Sequence, residues 1–365
     1  MSLMETTAAA AQKLRPGITL GALMLALTLP ACGAEDSDSE PDSAGATAEA
    51  SGSAASGESS GESSAGEGAQ EEESAEAPDT EDEQSEEPGE QPSEDQAEEE
   101  PLELPGGGDT LFPDRRFLAA YGSPGIPALG VLGEAEAEDT AERVKFYAEQ
   151  YQKHSEEPVQ PAFEIITSVA TGDPGPDGDY SNALDPEVIE PWVELAAEED
   201  IYVVLDLQPG LATFLEQAEL YEDLLAQPHV GLALDSEWRL SEGQRHMQQI
   251  GTVTAEEINE VSDWLAELTA EHELPQKMLL LHQFKHTMIQ NREDVDTSHE
   301  ELAIVLHADG HGSPDLKLET YEALQEGLSE DIWLGWKNFY DEDSPTFTSE
   351  QTYDVDPKPW FVSYQ

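Results

Sequence analysis

Asp235 and Glu237, two carboxyl side chains with one residue between them, form the pattern in this sequence best suited to acid–base chemistry. They follow the short apolar run 231–234, which predicts a buried strand. Because side chains two residues apart on an extended chain point to the same face, both carboxyls are expected to lie together at the strand end. Two acids in one pocket push their pKa values apart, so one can carry a proton while the other is ionised.

Polar side chains also end the neighbouring apolar runs of the chain. They are Asp206 and Gln208 in the run 201–208, His282 and Gln283 in 277–284, His307 and Asp309 in 302–309, and Lys337 in 331–338. We predict Asp206 as a third catalytic carboxyl, and Gln208, His282 and Gln283 as substrate-binding residues. Because strands end where solvent begins, the alternative for each is a merely solvated strand end, and that interpretation is preferred for His307, Asp309 and Lys337.

Aromatic residues near the same strand ends could stack against a flat face of a ligand. They are Trp238, Trp336, Tyr340, Trp360 and Tyr364. Of these, Trp238, Trp336 and Tyr364 are predicted to contact substrate. The alternative is burial in the apolar core, which is the commoner location of a large aromatic side chain.

Apolar runs alternate with stretches of helical period throughout residues 109–365. The predicted strands are 116–122, 162–170, 201–208, 231–234, 277–284, 302–309, 331–338 and 360–365, and the predicted helices are 139–154, 185–199, 212–226, 254–271 and 316–327. Eight strands in about 250 residues predict an α/β fold, a (β/α)8 TIM-type barrel, whose catalytic face lies at the carboxyl ends of the strands. An open doubly wound sheet is the competing fold, but no glycine-rich phosphate turn follows the first strand.

The chain of 365 residues is strongly acidic, with 81 acidic residues, 15 Lys and Arg residues and a formal net charge of -66. Residues 109–365 contain 54 of the acids and 13 of the bases, so the acidity is not confined to one end. This charge argues against nucleic acid and anionic lipid headgroups as partners of the folded domain. Adaptation to high salt and an ordinary acidic secreted protein both explain it, and charge alone does not separate them.

The first 31 residues have the pattern of an export signal. Lys13 and Arg15 precede the apolar run 18–29, which is short for a membrane span. The sequence Leu29-Pro-Ala-Cys32-Gly33 resembles the lipobox of bacterial lipoproteins, and Cys32 is the chain's one cysteine. The resemblance implies cleavage before Cys32 and a lipid anchor on it, which would hold the protein on the extracellular face of the bacterial cell membrane. An ordinary signal peptide is the alternative.

Residues 32–108 are predicted to form a disordered acidic tether. The segment consists almost entirely of Ser, Glu, Ala, Gly, Asp, Gln and Pro. Such a composition cannot bury enough apolar surface to offset the entropy lost on ordering, and repulsion between its acids extends it. The predicted role is a spacer between the membrane and the barrel domain.

The Asp235-Ser-Glu237 stretch is similar to the strand-four Asp-x-Glu motif of barrel glycosidases in the chitinase and Chalaropsis-type lysozyme families. The resemblance implies that Glu237 is the general acid and that Asp235 orients it or stabilises charge. Chitinases have two further Asp residues upstream, where this chain has Ala233 and Val230. Many barrel glycosidases take a second carboxyl from strand seven; here that strand has Lys337, so Asp206 or Asp309 would have to serve.

The whole arrangement of lipoprotein signal, tether and barrel is similar to a secreted lipoprotein family of actinobacteria with glycosidase-like barrels. The expected partner is a polysaccharide or cell-wall glycan, which the domain would hydrolyse or bind, and no cofactor is predicted. Glycoside hydrolysis is supported by the chemistry as well, since it needs one protonated and one ionised carboxyl flanking the bond.

Two other functions stay open from the sequence. Metal-dependent hydrolysis could use the nitrogen and oxygen ligands of His307, Asp309 and His311 together with Asp206, Asp235 and His282, although no metal ligand set is predicted outright. A barrel that binds polysaccharide or a partner protein without catalysis is the other alternative, because a fold does not fix a function.

Replacing Cys32 by Ser is expected to release the protein from the membrane, because the thioether-linked lipid can form only at a cysteine. Fractionation of cells expressing each form measures this, with Ser37→Ala as a control that leaves the lipobox intact. A Cys32→Ser protein that stays in the membrane fraction would contradict the lipid anchor.

Overall fold

The computed structural model describes residues 101–365, so the predicted signal peptide, Cys32 and most of the predicted tether lie outside the described residues. Eight parallel strands form a closed barrel: β1 (Arg116–Gly122), β2 (Val159–Ala170), β3 (Tyr202–Leu207), β4 (Val230–Asp235), β5 (Lys277–Gln283), β6 (Leu302–Ala308), β7 (Trp333–Asn338) and β8 (Phe361–Tyr364). Strand β1 pairs in parallel with both β2 and β8, which closes the sheet. The predicted (β/α)8 barrel is therefore confirmed.

Helices connect most of the strands. They are α1 (Ala137–Gln152), α2 (Pro186–Glu198), α3 (Phe214–Ala218), α4 (Glu222–Leu225), α5 (Ala255–Glu271), α6 (Pro314–Gln325) and α7 (Ser349–Tyr353). The predicted helix 212–226 is divided into α3 and α4 by the 3-10 turn Glu219–Tyr221. Between β5 and β6 the chain has two 3-10 turns, His286–Met288 and Arg292–Asp294, where the (β/α)8 pattern would have a helix.

Local signals in the sequence account for several helix starts. The Asp185 side chain accepts the N–H of Glu187 at the start of α2, and Thr254 accepts the N–H of Glu257 at the start of α5. These caps satisfy backbone donors that the first helical turn leaves free. The Glu257 side chain does not close a capping box; it accepts from Arg239 at 2.8 Å and from the N–H of Phe214 at 3.2 Å. It therefore fixes the loop after β4 against α3.

The strands have an apolar layer on each face. The outer layer lies between the barrel and its helices, and the inner layer fills the barrel. The inner layer contains Phe117, Ala119, Ala162, Tyr202, Val204, Ala233, Met278, Leu280, Ala303, Val305 and Phe361. At the amino ends of the strands it continues into Leu104, Leu111 and Phe112. Leu104 is 3% exposed, so contacts with the barrel begin before residue 109, the boundary expected from the sequence.

The inward-facing side chains change from apolar to polar toward the carboxyl ends of the strands. On β3 the inward residues are Tyr202, Val204 and then Asp206, and on β5 they are Met278, Leu280 and then His282. Because alternate residues of a strand face the same side, this sequence of side chains places a polar cluster above an apolar floor.

No helix among residues 101–365 is both long enough and apolar enough to cross a membrane.

Candidate active site at the carboxyl end of the barrel

Glu164 on β2 is a fully buried acid in the barrel interior. Its Cα is in register with Tyr121 on β1 and with Val204 on β3, one inward position below Asp206. Glu164 is not among the residues predicted from the sequence, because it lies inside an apolar run and not at its end. The available signal was the alternation of the strand, which places Glu164 on the same face as Ala162 and makes it an inward-pointing acid.

His282 on β5 contacts three carboxyl groups and is itself fully buried. Its Nδ1 lies 2.9 Å from Asp309 Oδ2, in a hydrogen bond that Nδ1–H donates to the carboxylate. Its Nε2 lies 2.9 Å from Glu164 Oε1 and 3.7 Å from Asp206 Oδ1. His282 therefore joins acids from three other parts of the barrel.

His307 on β6 lies on the other side of Glu164. Its Nδ1 is 3.6 Å from Glu164 Oε1, and its Nε2 is 3.3 Å from the Ser363 hydroxyl on β8. The rings of His307 and His282 meet edge to face with centroids 4.9 Å apart. Gly335 on β7 leaves room for this imidazole, since a Cβ at that position would lie 3.0 Å from His307 Cδ2.

A second set of polar contacts crosses the barrel from β1 to β4. The Tyr121 hydroxyl donates to Asp206 Oδ2 at 2.9 Å, and the Gln208 amide nitrogen lies 3.5 Å from both the Tyr121 hydroxyl and Asp235 Oδ2. The Lys337 ammonium lies 3.4 Å from the centre of the Tyr121 ring. The structure thus brings Asp206, Asp235 and Gln208 together, with Tyr121 between them.

Asp235 and Glu237 do not lie together on one extended strand, which corrects the expected geometry. Strand β4 ends at Asp235, and Ser236–Trp238 form a 3-10 turn in which Asp235 Oδ1 accepts the N–H of Glu237 at 3.2 Å. Asp235 is 3% exposed and belongs to the interior, whereas Glu237 is half-buried at the rim. The turn therefore separates a buried acid from one that solvent and ligand can reach.

Burial makes the three predicted catalytic acids hold their protons more strongly. It raises the pKa of Glu237 to about 7, with the charge of Asp309 adding to the shift. It raises the pKa of Asp206 to about 6, with the charge of His282 opposing the shift. Burial likewise raises the pKa of Asp235 well above its ordinary value, because the cluster desolvates the carboxyl.

The remaining acid of the mouth, Asp309, behaves in the opposite way. Burial disfavours its charge, but the hydrogen bond and the charge of His282 hold the pKa of Asp309 below its ordinary value. The same partners act on His282, whose pKa is raised well above its ordinary value by Asp206, Asp309 and Glu164 against the effect of burial. The pKa values of Glu237 and Asp309 are therefore shifted in opposite directions.

Three predicted substrate-binding residues face the helices and not the barrel interior. Trp336 stacks on Phe347 in the outer apolar layer, with ring centroids 5.4 Å apart. The Tyr364 hydroxyl is 2.7 Å from that of Tyr151 on α1. Gln283 is buried next to the inward-facing His282 and points to the opposite side of the sheet. The sequence placed these residues at strand ends correctly but did not settle which face of the strand they occupy.

Trp238 is half-buried at the rim, in the same 3-10 turn as Glu237. Its ring meets that of His246 edge to face, with centroids 5.3 Å apart. It is the one predicted aromatic contact that the structure places beside the general-acid candidate.

The cluster also contains His307, Asp309 and Lys337, for which the preferred interpretation from the sequence was a solvated strand end. Their exposures are 0%, 7% and 3%. Two surface clefts, of about 560 and 660 Å3, lie away from this cluster, and none of its carboxyls lines either cleft. The cluster lies in the barrel interior, with the half-buried Glu237 at its rim.

Gln283→Ala is expected to lower stability by about 1–3 kcal/mol, because it leaves buried partners unsatisfied. The Gln283 amide donates to the carbonyl of Lys285 at 3.0 Å and accepts from Arg292 at 2.8 Å. Urea unfolding measures the loss, with the exposed Gln290→Ala on the same segment as a control expected to stay within about 0.5 kcal/mol. Unchanged stability of Gln283→Ala would contradict this structural role.

Comparison with known proteins gives solved structures of low similarity. No family model matches the sequence, and no curated protein matches it. A GH5-4 broad-specificity endoglucanase from Clostridium longisporum is 10% identical, with a TM-score of 0.34 over 60% of this chain and 75% of that chain. A D-allulose 3-epimerase from Methylomonas sp. is 12% identical, with a TM-score of 0.33 over 69% of this chain and 85% of that chain.

Proposed function

We propose that this protein is a surface-anchored hydrolase that cleaves glycosidic bonds of a cell-wall or environmental polysaccharide, with Glu237 as the general acid. The observation that carries the proposal is the position and protonation of Glu237. It is half-buried at the barrel mouth, and burial raises its pKa to about 7, so it holds a proton near neutral pH. A general acid must be both within reach of the leaving-group oxygen and protonated when the bond breaks.

Asp235 supports Glu237 from within the barrel. Its carboxyl accepts the N–H of Glu237 and so fixes the 3-10 turn that carries the acid. The carbonyl of Glu237 accepts the N–H of Gly251 at 2.7 Å, which ties the same turn to the end of the long loop after β4. Asp235 acts in this proposal as a positioning residue, because it is almost fully buried and lies behind Glu237.

The second carboxyl of the reaction is better assigned to Asp309 than to Asp206. Asp206 is fully buried and is engaged by the Tyr121 hydroxyl, so a substrate cannot reach it without rearrangement. Asp309 follows β6 at the mouth, and its charge is one of the causes of the raised pKa of Glu237. One neutral and one charged carboxyl at the same mouth is the arrangement that glycoside cleavage requires.

The cellular setting is part of the proposal. The lipobox-like sequence at Cys32 would anchor the chain to the outside of the cell membrane, and the acidic segment that follows would hold the barrel at a distance from it. A polysaccharide of the cell wall or of the surroundings is the substrate class that an enzyme in this location meets. The net charge of -66 favours a neutral or cationic glycan over a polyanion.

Glu237→Gln is expected to lower the release of reducing sugar by at least about 100-fold, because an amide cannot transfer a proton to the leaving-group oxygen. The substitution keeps the shape of the side chain. The assay uses the full chain and a panel of glycans that includes cell-wall fragments, at low and at high salt. Glu242→Gln, an exposed acid in the loop after β4, is the matched control and should keep full activity. Equal activity of the Glu237→Gln and Glu242→Gln variants would end the proposal, and glycan binding without turnover in the unmodified chain would indicate a binding protein.

The pH dependence of kcat/KM should show a loss of activity as the pH rises through about 7, because Glu237 must be protonated in the free enzyme and its pKa is raised to about 7. Lys285→Gln removes an exposed positive charge that lowers this pKa, so the alkaline limb should move to slightly higher pH. The exposed Asp315→Asn on α6 is the control and should leave the limb in place. An alkaline limb that stays in place or moves to lower pH in Lys285→Gln would contradict the assignment to Glu237.

A further inference from the structure

We propose that Glu164, His282 and His307 form a binding site for one divalent transition-metal ion, of the zinc type, inside the barrel beneath the mouth. The three residues come from β2, β5 and β6, and one ligand atom of each lies within 4.8 Å of the other two. All three side chains are fully buried. This site goes beyond the proposed hydrolysis and does not depend on it.

The separations of the ligand atoms fit a shared ion. Glu164 Oε1 is 2.9 Å from His282 Nε2 and 3.6 Å from His307 Nδ1. Two ligands with bonds of about 2.1 Å to one ion lie about 3.0 Å apart at a right angle and about 3.4 Å apart at a tetrahedral angle. An ion can therefore contact all three atoms with small adjustments of the side chains.

Hydrogen bonding does not explain how these atoms face one another. Among residues 101–365, both carboxylate oxygens of Glu164, together with His282 Nε2 and His307 Nδ1, are buried without a hydrogen-bond partner. The 2.9 Å contact between His282 Nε2 and Glu164 Oε1 therefore lacks the direction of an N–H donor. Buried polar atoms are normally satisfied, so lone pairs that converge on one point indicate a cation there.

The other nitrogen of each imidazole has a partner that fixes the ring. His282 Nδ1–H donates to Asp309, and His307 Nε2 is 3.3 Å from the Ser363 hydroxyl. A carboxylate or hydroxyl on the far nitrogen is the arrangement that orients histidine ligands of metals and selects their tautomer. It leaves Nε2 of His282 and Nδ1 of His307 directed toward Glu164.

Asp206 lies next to the three proposed ligands, on the side of His282. Its Oδ1 has no hydrogen-bond partner within the described part of the chain and is 3.7 Å from His282 Nε2, so it is available as a fourth ligand. Two imidazole nitrogens with carboxylate oxygens favour Zn²⁺ or a similar first-row ion over Mg²⁺ and Ca²⁺, which prefer oxygen ligands. The alternative set of Asp235, His282 and Asp309 is less suitable, because the His282 nitrogen facing Asp309 is already used in a hydrogen bond.

The experiment measures Zn²⁺ bound to the purified full chain after treatment with chelator and dialysis, together with the melting temperature with and without Zn²⁺. We expect one tight site per chain and a melting temperature that rises by several degrees when Zn²⁺ is added. Glu164→Gln, which keeps the side-chain shape, and His307→Asn should each weaken this binding by at least about 100-fold, and Asp309→Asn by about 10-fold, since its carboxylate only orients His282.

The acidic N-terminal segment could bind Zn²⁺ weakly by itself, and every variant keeps it, so only the difference between variants reports on the barrel. His311→Asn replaces an exposed histidine on the loop after β6 and should bind as the unmodified chain does. Circular dichroism tests whether each variant is folded. The visible spectrum of the Co²⁺-loaded chain reports whether nitrogen and oxygen atoms bind the ion. Equal Zn²⁺ binding and equal thermal shift in the Glu164→Gln variant and the unmodified chain would overturn the proposal, as would the absence of any tight site. Neither result depends on sugar release.

Discussion

Closure of eight parallel strands into a barrel is the constraint on which the rest of this structure depends. Parallel pairing from β1 through β8 and back brings every carboxyl strand end to one mouth. Closure also encloses every second side chain of each strand. Residues more than 140 positions apart in the chain, such as Glu164 and His307, become neighbours across the interior only because both conditions hold.

The same constraint makes the polar cluster costly, because five carboxyls lie in or beside an interior that excludes water. They are Glu164, Asp206, Asp235, Glu237 and Asp309. Raised pKa values keep some of them neutral, and the positive charge of Lys337 compensates others. A bound cation beside Glu164 would supply the compensation that hydrogen bonds do not, which links the electrostatics of the site to the metal proposed there.

The loops of the mouth are held by contacts outside the cluster. Lys317 on α6 is buried, and its ammonium donates to the Lys337 carbonyl at 2.6 Å and to Asp343 at 2.5 Å. Asp343 in turn accepts the N–H groups of Gly312 at 2.9 Å and Phe339 at 3.0 Å. One carboxylate thus joins the loops after β6 and β7, which begin at Asp309 and Phe339. A site built on such fixed loops needs little ordering when a ligand arrives.

The sequence by itself determined the strand count, the parallel fold and the strand ends that carry Asp206, Asp235 and His282, because hydrophobic period and capping are local properties of the chain. It could not decide the face of a residue at a strand end. Adjacent residues of a strand face opposite sides of the sheet. Trp336 and Gln283 therefore lie on the helix side, whereas His282, next to Gln283, lies in the interior. Nor could it identify Glu164, whose chemistry depends on two imidazoles supplied by strands more than 110 residues later in the chain. Those decisions belong to the tertiary structure, since distance across a closed barrel is set by register and closure and not by sequence separation.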